Sequence, residues 1–135
     1  MSDTNSILLS DLIYLEQVNP SSRFNPPISK NIMSSINEIL PKDLLCFLEI
    51  TDGLEIGPIP GVVLYECRKI RKRTVVDARS NDEYNCLFIG YYNFGDYVIM
   101  LDDGRIGQFS VESGTIDITN SSLHEFLIEQ GEVSR

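Results

Sequence analysis

The side chains that could do chemistry are few in this sequence. There is one histidine, His124, and the three cysteines are Cys46, Cys67 and Cys86. Nucleophilic catalysis needs a base and an orienting group beside a serine or cysteine, and no local signature places His124 in such a group. We interpret His124 as a structural histidine at or near the surface. An enzyme in which Cys67 or Cys86 meets His124 in space stays open as an alternative.

Metal chemistry has equally little support in the sequence. Three widely spaced cysteines without a CxxC pair do not form an ordinary zinc site, and they favour a reducing compartment with free thiols. Asp102, Asp103 and Gly104 resemble the start of a calcium loop, but the next acid is Glu112 and the alternate oxygen ligands are missing. We interpret Asp103-Gly104 as a type I′ hairpin turn. We predict no catalytic residue, no metal and no cofactor.

The charge balance restricts the partners. The chain has 20 acidic and 11 basic residues and a net charge of -9, which disfavours binding to nucleic acid or to anionic lipid. Six of the basic residues fall between Arg68 and Arg79. They alternate with Ile70, Val75 and Val76, so they form either a nucleic-acid patch or, as we favour, the solvated face of a strand. We predict a basic protein partner, with no direct nucleic acid and no membrane.

The start of the chain has no basic residue within its first ten positions and only a short apolar run. This pattern predicts no signal peptide, and no apolar stretch approaches the ~18 residues that span a bilayer. We expect a cytoplasmic protein.

The residues most suited to contact another protein lie on predicted turns. Exposed acids there would steer a basic partner. Aromatic side chains between Gly90 and Gly95 are either short-range anchors for a partner or lids on the core. The predicted contact residues are Asp52, Glu55, Asp82, Glu83, Tyr91, Tyr92, Phe94, Asp102 and Asp103.

Helices are predicted in the first third of the chain. A stripe of leucines from Leu8 to Leu15 indicates a first helix that ends at Asn19-Pro20. A Pro/Ser-rich connector leads to a second helix from Ser29 to Leu40, and a third spans Pro41 to Thr51. The third helix places Leu44, Phe47 and Leu48 on one buried face, and Gly53 ends it in the left-handed conformation.

The second half predicts a β-meander followed by a closing helix that begins near Ser121. The predicted strands are Val62–Tyr65, Cys86–Ile89, Asp96–Leu101, Arg105–Val111 and Thr115–Thr119. A chain of 135 residues is the size of one domain. We therefore predict a single α+β domain over residues 1–135, with a mainly antiparallel sheet covered by helices from the N-terminal third and the C-terminus.

Three local motifs in this order resemble the SUKH superfamily, which includes the SMI/KNR-like fungal cell-wall regulators and many bacterial immunity proteins. The first motif is a Leu-Pro helix, residues 40–48, followed by Thr51-Asp52-Gly53. The second is the strand 87–89 with Gly90. The third is 94–99, which runs into the hairpin 101–106. The chain has no tryptophan, although the family often has one after this hairpin; Phe109 lies there instead.

The resemblance covers about Ser29 to Leu127 and implies a function in binding rather than catalysis. Bacterial members of the family mostly neutralise a cognate toxin, often a nuclease, and other members bind cellular proteins. The resemblance therefore implies an immunity protein that neutralises a toxin by direct contact. The alternative is an intracellular regulatory interaction module with a housekeeping partner.

Overall fold

The computed structural model describes residues 3–29, 31, 40–57 and 61–133. These residues form three α-helices: α1 (Asp3–Val18), α2 (Lys42–Ile50) and α3 (Leu123–Val133). α1 contacts both α2 and α3. The predicted helix from Ser29 to Leu40 falls almost wholly outside the described residues. No helix in the described ranges is long and apolar enough to cross a membrane.

Eight strands form one antiparallel sheet, which confirms the predicted α+β class. The strands are β1 (Arg23–Phe24), β2 (Leu54–Ile56), β3 (Val62–Leu64), β4 (Arg71–Val76), β5 (Glu83–Tyr92), β6 (Tyr97–Leu101), β7 (Ile106–Ser110) and β8 (Thr115–Asn120). Seven of them lie side by side in the order β1-β2-β3-β5-β6-β7-β8, and the eighth, β4, also pairs with β5. β3 and β4 pair with different segments of β5, residues 90–92 and 83–88 respectively.

Helix α2 has the predicted buried face. Leu44, Phe47 and Leu48 recur at helical spacing and are all buried. The helix is one residue shorter at each end than predicted, because Pro41 and Thr51 have extended ψ angles. Gly53 has a φ of 91°, as predicted for the residue that turns the chain away from this helix.

The centre of the sheet is buried on both faces. Alternate residues of β5 and β6 point to opposite sides: Leu87 and Met100 pack into the main core with the helices. Cys86 and Ile99 belong to a second, smaller apolar cluster. The second cluster also contains Val75 and Tyr84 from the two strands of the β4–β5 hairpin and Ile116 from β8. The β4–β5 hairpin and β8 therefore share a core on the side of the sheet away from the main core.

Contacts around Asp77 hold the tip of the β4–β5 hairpin against β8. The Asp77 carboxylate, which is buried, accepts a hydrogen bond from the backbone N–H of Ile116 at 3.2 Å. The Arg79 guanidinium donates to the Ile116 carbonyl at 2.7 Å and pairs with both Asp77 and Asp117 at 3.1 Å. The backbone N–H of residue 78 donates to the Gly114 carbonyl at 2.9 Å. The bonds at Ile116 occupy the N–H and the carbonyl of that residue in β8, which is an edge strand of the sheet.

Two short strands, β1 and β2, were missed by the sequence analysis. Arg23 and Phe24 lie in the stretch that we predicted as a connector, yet they pair with Glu55 and Leu54 of β2. Strands of two or three residues are too short to show an alternating pattern, so only their pairing defines them. β5 is also longer than predicted and includes Glu83, Tyr91 and Tyr92.

The hairpin between β6 and β7 is real, but its predicted turn type is wrong. Among the described residues Asp103 does not have a positive φ, whereas Gly104 has a φ of 92°. The Gly104 N–H donates to the Leu101 carbonyl at 2.9 Å, and the Leu101 N–H donates to the Arg105 carbonyl at 2.8 Å. This is the three-residue loop in which glycine alone takes the left-handed position, so Asp103 keeps an ordinary conformation.

Candidate functional site

The turn between β5 and β6 projects an aromatic side chain into solvent. Phe94 is 62% exposed, and its ring centre lies 5.0 Å from that of Tyr92. The turn is closed by the Gly95 N–H, which donates to the Tyr92 carbonyl at 2.9 Å, and by the Tyr92 N–H, which donates to the Asp96 carbonyl at 2.8 Å. A large apolar surface is thereby held outside the core on a turn that two backbone hydrogen bonds close.

Tyr92 itself belongs to the core. It is buried, and burial together with the charges of Glu129 and Asp96 raises the pKa of its hydroxyl to about 12. Of the three predicted aromatic contact residues, Tyr92 therefore acts as a lid, and Phe94 rests on it.

Tyr91 lies at the surface and is 36% exposed, a value between those of Tyr92 and Phe94. It lies opposite Tyr97 in the pairing of β5 with β6, and its ring centre is 5.8 Å from that of Tyr65. Burial, with smaller contributions from Tyr97 and Tyr91, raises the pKa of the Tyr65 hydroxyl. The tyrosines form a group on one side of the sheet that leaves Tyr91 accessible.

Five of the predicted acidic residues are exposed on strands and turns. They are Glu55 on β2, Asp82 and Glu83 at the tip of the β4–β5 hairpin, and Asp102 and Asp103 in the β6–β7 hairpin. The hydrogen bond from the Arg105 backbone N–H lowers the pKa of Asp103. The Arg105 guanidinium, 2.7 Å from the carboxylate, lowers it further. The structure places these acids on β2 and at the ends of two hairpins rather than in one cluster.

Asp52, the sixth predicted acid, already has an intramolecular partner. Its Oδ1 accepts a hydrogen bond of 2.7 Å from the backbone N–H of Cys67, which begins the short 3-10 turn after β3. The side chain is half-buried. Asp52 therefore contributes to the connection between α2 and the sheet, and its carboxylate is less available to a partner than the five exposed ones.

His124 forms a contact that the sequence analysis did not find. Its Nδ1 lies 2.7 Å from Oδ2 of Asp11, which is buried on α1, so the pair joins α1 to α3. Burial raises the pKa of Asp11, and the hydrogen bond with His124 opposes that rise. An acid that orients a histidine is also part of catalytic triads. In the described part of the chain, no serine or cysteine side chain hydrogen-bonds to this ring.

The three cysteines are free and buried. Burial, followed by the charge of Asp102, raises the pKa of the Cys86 thiol to about 11. A thiol with such a pKa is almost entirely protonated at neutral pH and is a poor nucleophile. Across the residues that the structure describes, no three His, Cys, Asp or Glu side chains form a group that could hold a metal ion.

The basic stretch forms part of a groove that the sequence analysis did not identify. We call it the basic groove; its volume is roughly 620 Å³, and it lies at the open side of the second apolar cluster. Its residues are Tyr65, Lys69, Arg71, Arg73, Thr74, Val75, Phe88, Tyr97, Phe109 and Val111. Alternation in β4 predicted a strand with a solvated basic face, but only the pairing of the strands brings that face to the aromatic rings.

No protein-family model and no curated protein matches this sequence. The resemblance to the SUKH superfamily therefore rests on the three local motifs alone and stays a prediction.

Proposed function

We propose that this protein is a non-enzymatic protein-binding domain, an immunity protein of the SUKH type that acts in the cytoplasm and neutralises a basic toxin domain by direct contact. The observation that carries the proposal is Phe94, which is 62% exposed in a closed turn. An aromatic side chain provides a large contact area and has few rotatable bonds to order, as interface anchors do.

The charge of the chain supports the same proposal. A net charge of -9 with exposed acids on several turns attracts a cationic domain from a distance and raises the association rate. A nuclease toxin is such a domain, because its active site binds phosphates. Tyr91 and Phe94 supply short-range contacts once the partner has arrived.

The experiment is co-expression of this protein with toxin domains encoded by the neighbouring genes, followed by a binding measurement with the purified pair. We expect protection of the cells and a stable complex. Phe94→Ala should speed dissociation of that complex, whereas Ile13→Ala, which shortens an exposed apolar side chain on α1, should not. Binding to a housekeeping protein with no protection from any toxin would favour the regulatory module instead.

The Asp11–His124 pair is the observation that favours an enzyme, and one variant separates the two functions. His124→Gln removes the only histidine but leaves Phe94 and the exposed acids in place. The immunity proposal expects full protection by this variant. Protection that requires His124 in a folded protein, together with turnover of a substrate, would replace the proposal with an enzymatic one.

A further inference from the structure

Among the residues that the structure describes, the cations of the basic groove form no ion pair with a carboxylate, although the chain has a net charge of -9. Three of its ten residues are cations, Lys69, Arg71 and Arg73, and none is acidic. Arg68, Arg79 and Arg105, which do not line the groove, each form an ion pair with a carboxylate. Within the described residues no such pair involves the three groove cations. No carboxylate of the described residues therefore neutralises the positive charge of the groove by direct contact.

Hydrogen bonds to the backbone fix one of the groove cations. Nη1 of Arg71 donates to the carbonyls of Arg68 and Ile70 at 2.6 and 3.0 Å. Its charge is thus held at the groove while its other nitrogens stay available for further bonds. Lys69 and Arg73 are exposed on either side of it in sequence.

Aromatic rings line another part of the groove. The Phe88 ring centre lies 5.1 Å from that of Tyr97 and 5.9 Å from that of Phe109. The Arg73 guanidinium lies 5.6 Å from the Phe88 ring centre, a cation–π distance. Phe88 is buried and the other two rings are partly exposed. A ligand in the groove would contact these rings as well as the cations.

We propose that the basic groove binds a nucleotide, a planar aromatic base that carries a compact phosphate group. Arginine matches phosphate oxygens with two parallel hydrogen bonds, and phosphate concentrates more negative charge in a small volume than a carboxylate does. Tyr97 and Phe109 provide a surface for stacking of the base. The volume of roughly 620 Å³ lies within the range of small-molecule sites, about 300–1,000 Å³.

The surrounding charge favours a small ligand over a nucleic-acid strand. Binding of a strand depends on neutralising many successive phosphates, and the groove offers three cations in a protein of net charge -9. This site is separate from Phe94 and does not depend on the proposed immunity function.

The test is isothermal titration calorimetry of the full chain with ADP, and with adenosine and pyrophosphate as its two halves. We expect ADP to bind at least about tenfold more tightly than either half, because the cations and the rings each contribute. Arg73→Ala and Lys69→Ala should each weaken ADP binding by about tenfold, since each removes a charge-assisted bond. Phe109→Leu, which keeps an apolar side chain but removes the ring, should weaken ADP more than pyrophosphate.

The matched control is Arg105→Ala, which removes an exposed arginine outside the groove and should leave ADP binding unchanged. Thermal unfolding of each variant checks that the fold is retained; Lys69 and Arg73 are exposed, so their truncation spares the core. Absence of ADP binding at millimolar concentration would overturn the proposal. So would equal binding of pyrophosphate and ADP, or tighter binding of a short single-stranded oligonucleotide or of an acidic peptide.

Discussion

At the scale of single residues, the Asp77 side chain forms hydrogen bonds that join the end of the β4–β5 hairpin to β8. Its buried carboxylate accepts hydrogen bonds from the backbone N–H groups of Arg79 and Ile116 and from the Arg79 guanidinium. These bonds, with the Arg79 side chain as the largest influence, lower the pKa of Asp77 from its ordinary value of 3.8 to about 2. The ionised form is therefore the one that holds the β4–β5 hairpin to β8.

This gives a prediction for stability against pH. A group whose pKa is lower in the folded state stabilises the protein above its unfolded pKa, and the stabilisation is lost as the pH falls through the folded value. We expect Asp77→Asn to lower the free energy of unfolding in urea at neutral pH. The difference from the wild type should shrink between about pH 4 and pH 2. Asp117→Asn is the control, because Asp117 also contacts Arg79 but is exposed; a gap for Asp77→Asn that does not change with pH would contradict the assignment.

The thiols give a second prediction at the residue scale. Cys46, Cys67 and Cys86 are each at most 7% exposed, and the pKa of Cys86 is about 11. We expect the native protein to react slowly with a thiol reagent at neutral pH, and all three thiols to react quickly in denaturant, because reaction needs an accessible thiolate. Rapid native labelling of any one of them, located by mass spectrometry, would show that its surroundings open readily.

At the scale of elements, the turn after α2 determines how this helix meets the sheet. The backbone at Gly53 lies against β3 and the residues after it: a Cβ added there would come within 2.7 Å of the Leu64 carbonyl oxygen and of the Glu66 backbone nitrogen. Asp52, the preceding residue, holds the Cys67 N–H. The turn therefore packs directly against the backbone between β3 and β4. A side chain at position 53 would clash with backbone atoms, and a change of rotamer could not remove that clash.

We predict that Gly53→Ala is much more damaging than Gly95→Ala. Both glycines have a positive φ, but a Cβ at Gly95 would meet nothing within 4 Å. The left-handed conformation alone should cost about 1–2 kcal/mol, and the clash at Gly53 should add about 1–3 kcal/mol. Urea unfolding of both variants measures the difference. Equal destabilisation would mean that the chain at Gly53 moves aside without cost.

At the scale of the whole molecule, two surfaces of opposite charge can be distinguished. Exposed acids occur at the ends of the β4–β5 and β6–β7 hairpins, whereas the groove is lined by three cations and no acid. The two proposals assign these surfaces to different molecules: a basic partner would approach the acidic hairpin ends, and an anionic ligand would enter the basic groove.

Steering by the acidic turns predicts a specific dependence on salt. Changing Asp82, Glu83, Asp102 and Asp103 together to their amides should slow association with the toxin domain at low salt and flatten the salt dependence, with little change in the dissociation rate. The control carries the same net charge but changes Glu16, Glu49, Glu112 and Glu132, which are exposed outside the predicted set. Equal slowing by both variants would show that only total charge matters, and not the position of the acids.

Local patterns in the sequence determined much of this protein. Helical spacing determined the buried face of α2 around Phe47, since that spacing is a property of neighbouring residues. Short-range preferences also determined the turn at Gly53 and the β-meander from β5 to β8, and with them the α+β class. The nine predicted contact residues follow from the same local reasoning, which finds turns and exposed charges.

Only the tertiary structure decided which distant residues meet. β1 exists because it pairs with β2. β5 continues farther than its pattern predicted and includes Tyr92, which is buried, whereas Phe94 lies beyond the end of β5 and is exposed. The pairs Asp11–His124 and Asp77–Ile116 join residues 113 and 39 positions apart. Neither leaves a local signal, because the bond depends on how helices and strands pack. The basic groove has the same origin: its cations come from β4 and the turn before it, and its rings come from β3's end, β5, β6 and β7, which only the folded sheet brings together.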